Sequence, residues 1–196
     1  MRKALAVVTL AASFLVGSAF GIDEYKIDPN HSSANFAVKH MMVSTVNGRF
    51  TNVEGTINYD PSDVTNSTVK AVIKTSTVTT DNNSRDNHLK SGDFFDVAKY
   101  PEIKFESTKI EKRGDQYVAI GNLTIKDVTK QVELPFTVNV AEMGGQKHLG
   151  ADANLTINRM DYHVNWNKAP GTVDKNIKIT LNIEAKQAAV AAATAK

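Results

Sequence analysis

From Gln131 to Val140 the chain alternates without a break. Val132, Leu134, Phe136, Val138 and Val140 are apolar, separated by Glu, Pro, Thr and Asn. Residues two apart share one face of a strand, so this run predicts a β-strand with one dry and one wet face. The same rhythm returns in His148–Ile157, through Leu149, Ala151, Ala153, Leu155 and Ile157, and in Asn176–Glu184, through Ile177, Ile179, Leu181 and Ile183. Segments 33–40, 49–59, 67–78, 102–108 and 116–125 follow it more loosely, which makes at least eight amphipathic β segments. Gly144-Gly145 is a hairpin signal between two of them. One stretch breaks the pattern. Asp81-Asn82-Asn83-Ser84 offers helix N-caps, Arg85 to Ser91 predicts about two turns of helix, and Asp86 and Lys90 are spaced as an exposed i, i+4 pair.

Eight amphipathic antiparallel strands either pack as two sheets or close into a barrel. Ala71, Ala119, Gly121, Ala151 and Ala153 fall at inward positions of the pattern. Small inward residues leave an enclosed, elongated space in a barrel. Set opposite Phe36, Phe50, Phe105 and Phe136, they instead complete a filled core. The alternation alone keeps both readings open.

The N-terminus reads as an export signal. Arg2 and Lys3 precede the apolar run Ala4–Val16, and Gly17-Ser18-Ala19-Phe20-Gly21 offers cleavage after Ala19 or Gly21. The run is shorter than the ~20 residues of a spanning helix. The expected organisation is therefore a signal peptide over 1–21, one barrel domain over 22–185 and a disordered Ala-rich tail over 186–196, with the mature chain in the periplasm. Loss of Arg2 and Lys3 reduces the 23 basic residues to 21, matching 21 acidic ones. A neutral chain without a basic stripe excludes a nucleic-acid partner. Neutrality also favours self-association as a homodimer, whereas Pro135, read on an edge strand, opposes edge-to-edge pairing.

The chain has no cysteine, which excludes thiol catalysis, disulfides and cysteine metal sites. It lacks a Gly-x-Ser-x-Gly elbow, a Walker-type loop and a Gly-x-Gly-x-x-Gly turn. None of the five histidines has metal-ligand spacing, so no metal or cofactor is expected unless ligands converge from separate strands. Two polar clusters stand out. Arg85-Asp86-Asn87-His88-Leu89-Lys90-Ser91-Gly92-Asp93-Phe94-Phe95-Asp96 combines head-group donors and acceptors with two rings suited to an apolar tail. Equally, its acids fit as turn caps and its Phe pair as a barrel plug. In Asn158–Trp166, Arg159 with Asp161 predicts either an ion pair at a bend or a head-group contact.

These segments resemble the YceI-like, polyisoprenoid-binding family of the bacterial periplasm. The resemblance rests on Tyr25-Lys26-Ile27-Asp28-Pro29-Asn30-His31-Ser32, Phe36-Ala37-Val38-Lys39-His40, Gly48-Arg49-Phe50, the Arg85–Asp96 cluster, Tyr100–Phe105, Gly121–Ile125 and Ile157–Tyr162. It departs at Asp127 and His163, where the family commonly has glycine. It implies an all-β, antiparallel, eight-stranded, extended lipocalin-like barrel with one short inserted helix, holding a long isoprenoid or other long-chain lipid. Carried over by position, Arg85, His88, Leu89, Asp93, Phe94 and Phe95 are expected near the pocket. Phe36, Val38, Phe50, Ile73, Phe105, Leu123, Phe136 and Leu155 are expected along the tail, with Arg159 and Trp166 completing the contacts. The expected function is binding and carriage of lipid without catalysis, with transient membrane contact. Two other classes compete: a lipid-modifying enzyme using His88 with Asp93 or Arg159, and a filled-core structural module of the cell envelope.

Overall fold

A computed structural model describes residues 21–166 and 169–189. Almost all of the expected signal peptide, residues 1–20, and the tail from 190 onward lie outside the described residues. The strands are β1 (Asp23–Ile27), β2 (Ser33–His40), β3 (Ser44–Phe50), β4 (Val53–Tyr59), β5 (Thr68–Lys74), β6 (Val78–Thr79), β7 (Glu102–Arg113), β8 (Gln116–Ile125), β9 (Val128–Met143), β10 (Gln146–Asn158) and β11 (Val173–Gln187); α1 spans Asn83–Lys90.

These eleven strands occupy eight barrel positions. β1 and β2 pair successively with the two ends of β11, β4 and β3 pair with β1 and β2, and β5 and β6 pair with β4 and β3. Strands β7 to β11 then follow in chain order, each antiparallel to the last, and the β1–β11 pairing closes the barrel. Closure settles the choice left open by the alternation, because a sandwich would leave free edges.

Side chains bridge the interruptions. Between β1 and β2, Pro29 has no N–H to offer a ladder. The Ser32 hydroxyl takes over there, donating to the Glu184 carbonyl at 3.1 Å and accepting from the Glu184 N–H at 3.0 Å. Asn52, in the β3–β4 break, accepts from the Lys74 N–H through its carbonyl, and its own N–H donates to the Thr77 hydroxyl.

Pro135 lies on an interior strand, not on the edge expected for it. β9 pairs with β8 from Val128 through Phe136, but its pairing with β10 begins only at Phe136. Lacking an N–H, Pro135 marks the end of the β9–β10 ladder, and beyond it the two strands part.

The helix starts at Asn82, whose side chain accepts from the Arg85 N–H at 3.0 Å. Asp86 does not form the expected exposed pair. It is buried, accepting from the Thr80 N–H at 2.8 Å and from the Thr80 and Thr79 hydroxyls, and so fastens α1 to the end of β6. Burial alone would raise the Asp86 carboxyl, but these hydrogen bonds outweigh it and hold the pKa below the ordinary value.

Candidate functional site: an apolar cavity along the barrel axis

The inward faces of the strands enclose a cavity of about 250 Å³ that runs most of the barrel's length. One water needs ~10–15 Å³ by this measure, so the space accommodates on the order of twenty chain atoms. Its lining is aliphatic and aromatic, with Asn35, Ser67, Arg159 and the tyrosines Tyr59 and Tyr162 as polar members. Burial raises both phenols above their ordinary pKa, so they are neutral at physiological pH.

The small residues play two roles. Ala71, Ala119, Ala151 and Ala153 line the cavity and leave room in it. Gly121 does the opposite: a Cβ there would run into the Phe105 ring and the Glu106 carbonyl, so its bare backbone is a floor for that ring. Gly48 serves Phe36 in the same way.

At one end, a 3₁₀ turn at Val64–Asn66 brings Val64 against Ile110 and Ala119. At the other, two connections form a lid. The first is α1 with residues 91–101, which directs Leu89, Phe94 and Phe95 into the cavity lining. The second is the 3₁₀ turn Arg159–Tyr162 and the residues after it. An aromatic clasp joins them: Trp166 stacks on Phe94 with centroids 5.7 Å apart, and the His88 ring meets both edge-on, at 5.0 Å from Phe94 and 5.6 Å from Trp166.

Of the residues expected at the site, Phe36, Val38, Phe50, Ile73, Leu89, Phe94, Phe95, Phe105, Leu123, Phe136, Leu155 and Arg159 line the cavity. Four do not. Arg85 turns back on its own N-terminal loop, donating from Nε to the Thr80 hydroxyl at 2.7 Å and from Nη2 to the Thr80 carbonyl. His88 Nε2 lies 2.9 Å from Asp93 Oδ2 on the outer side of the lid. Trp166 covers Phe94 from outside rather than entering the interior. Arg85 lies one turn before Leu89 on the same side of α1, and its bonds to Thr80 divert it from the cavity, whereas His88 falls about 100° round the helix from the inward-facing Leu89.

Arg159 does not pair with Asp161, whose carboxylate is 3.5 Å from Lys130. Buried to 6 % exposure, it donates to four backbone carbonyls: Asp174 from Nε, Val164 and Trp166 from Nη1, and Val173 from Nη2. Burial lowers its pKa, with Asp174 opposing, and a guanidinium starts so high that it remains cationic. It therefore ties the start of β11 to the lid at the cavity's end.

Sequence spacing missed one cluster. The breaks around β2 bring Asp28, His31 and Glu184 together, with potential ligand atoms within 4.8 Å of one another. The Lys186 ammonium sits 2.7 Å from Asp28 Oδ2, so a lysine already supplies the cation there. Together with the His31 contact at 2.9 Å and the His148–Glu184 contact at 3.1 Å, this forms a network holding β1, β10 and β11 at the seam.

A closed antiparallel barrel around a long apolar cavity, lidded at one end, defines the lipocalin-like class of binding barrels. Within it, the chain belongs to the YceI-like domain family, which matches residues 25–185. A UPF0312 protein of Yersinia pestis is 34% identical over 192 residues, covering 95% of this chain and 98% of the relative. Protein YceI of Salmonella newport is 34% identical over 196 residues, with 95% and 99% covered. Among solved structures, the Campylobacter jejuni YCEI protein superposes with a TM-score of 0.70 at 31% identity, over 77% of this chain and 90% of that one. BcnA of Burkholderia cenocepacia gives 0.71 at 24% identity, over 81% and 98%. A polyisoprenoid binding domain from Saccharophagus degradans shares the fold at 0.64 and 13% identity, over 85% and 99%.

Proposed function

We propose that this protein is a periplasmic carrier that sequesters a long-chain isoprenoid, such as a polyprenol or quinone, or a fatty amphiphile, in the barrel interior. The observation that carries this reading is the continuous apolar cavity with few polar groups in its lining. Burying apolar surface contributes roughly 25 cal/mol per Å² before the cost of association, so a long chain withdrawn from water into this cavity gains substantially. A shared fold with a domain described as polyisoprenoid-binding adds support. The signal-like segment before residue 22 supports export.

Binding without chemistry fits the polar groups better than catalysis does. His88 and Asp93 engage each other outside the cavity, and Arg159 spends its donors on four carbonyls. A filled-core envelope module fits less well, because Ala71, Ala119, Ala151 and Ala153 leave space unfilled.

The test is uptake of a polyprenol or ubiquinone by delipidated protein, followed through gel filtration. The wild-type chain should retain about one ligand per barrel and melt at higher temperature when loaded. The Ala151→Phe/Ala153→Phe variant should keep its β-sheet circular dichroism and lose the ligand. Failure of the wild type to retain either lipid, or equal retention by the filled variant, would sink the proposal.

A further inference from the structure

The hairpin joining β2 to β3 breaks two rules at once. Its tip is Met41-Met42-Val43, exposed to 60%, 71% and 86%. Both methionines adopt left-handed backbone, with φ of 52° and 58°, where a Cβ is unfavourable and such turns prefer Asn-Gly. The tip also lies at the lidded end of the cavity. Val38 and Val173 both line the interior, Val173 pairs with His40 at the base of the hairpin, and the Met41 N–H donates to the Thr172 carbonyl at 2.8 Å. Strain combined with exposed apolar surface, held in place by the fold beside a binding cavity, points to function.

We infer that the Met41–Val43 tip inserts into the surface of an anionic lipid bilayer and so brings the lidded end of the cavity to the membrane. The inference rests on the lipid-carrier reading, since it supplies the route by which the ligand arrives. Two features favour a bilayer over a second copy of the chain. Lys39 and Lys175, exposed near the base of the hairpin, have no ion-pair partner among the described residues and complement anionic head groups. A three-residue convex tip also falls far short of the ~800 Å² per partner of a stable protein interface. At the opposite end of the barrel, Met143 is exposed as well, but its hairpin takes positive φ on Gly144 and Gly145 and is unstrained. Met143 is therefore the control.

The experiment is flotation with vesicles of phosphatidylethanolamine and phosphatidylglycerol, using wild type, Met41→Asn/Met42→Gly and Met143→Asn. Asn-Gly suits the turn, so the double variant should melt at higher temperature while vesicle binding falls about ten-fold or more. Polyprenol delivered from solvent should still enter its cavity, and Met143→Asn should float like wild type. Wild type should bind pure phosphatidylcholine vesicles more weakly. Equal flotation of the double variant overturns the inference. So does a wild-type chain that ignores vesicles, or one that elutes as a dimer which the double variant dissolves. A wild type that floats yet takes up no polyprenol sinks the carrier reading and leaves the docking tip standing.

Discussion

The His163 imidazole Nδ1 lies 3.0 Å from the Asp127 carboxylate, and these are the two positions at which the sequence resemblance leads one to expect glycine instead. His163 adopts a left-handed φ of 55° as the C-cap of the 3₁₀ turn, which explains a glycine preference there. Lys126, itself at φ 54°, donates from Nζ to the His163 carbonyl at 3.0 Å. The two departures thus compensate each other, tying the β8–β9 turn to the lid.

His163→Gly should therefore relieve about 1 kcal/mol of backbone strain while losing the contact to Asp127. Made together with Asp127→Gly, it should be more stable than the sum of the two single changes, by thermal melting. The His163 contact holds the Asp127 carboxyl below its ordinary pKa, a contribution present at neutral pH and lost as pH falls through the folded value. Strict additivity would mean that the contact carries no coupling.

Asp86 makes a larger, pH-dependent contribution. Asp86→Ala leaves the Thr80 N–H and two hydroxyls unsatisfied at a buried position, and it should cost about 2–3 kcal/mol, read by urea denaturation. Because the folded carboxyl is depressed, its stabilisation is full above the unfolded value of ~3.9 and fades as pH drops through the folded one. Wild type should therefore lose stability relative to Asp86→Asn on acidification. Parallel pH profiles for the two proteins would contradict this assignment.

Trp166→Ala removes two ring contacts from the lid, each worth roughly 0.5–1.5 kcal/mol. The clasp restrains the lid over the cavity, so the expected effect is on ligand exchange: dissociation about ten-fold faster by stopped flow, with the β-sheet spectrum unchanged. An unaltered dissociation rate would show that the ligand leaves elsewhere, for instance where β9 and β10 part beyond Pro135.

Arg159→Lys is not conservative here. One ammonium cannot span four carbonyls contributed by residues 164, 166, 173 and 174. The variant should lose on the order of 3 kcal/mol of stability in calorimetry. A melting temperature matching wild type would show that these bonds hold nothing together.

The long strands were legible because alternation over 131–140, 148–157 and 176–184 leaves one face for the interior and one for water. The same alternation put Phe136 and Leu155 on the inward face, and the family resemblance added Phe36 and Phe105 as lining residues. The strand interruptions were not legible, because their backbone groups are satisfied by partners far along the chain, as Ser32 is by Glu184. Arg85, His88 and Asp93 adjoin Leu89, Phe94 and Phe95 in sequence, yet adjacency does not say which side of a lid a residue faces. The Asp28–His31–Glu184 cluster escaped spacing rules because closure of the barrel, not a local motif, assembles it.

The most direct measurement is lipid mass spectrometry on protein expressed from its full sequence and purified without detergent. The carrier reading predicts one dominant long-chain isoprenoid or fatty species at about one per barrel, absent from the Ala151→Phe/Ala153→Phe variant. An empty cavity in the purified wild type, or the same lipid at the same level in the filled variant, would contradict it.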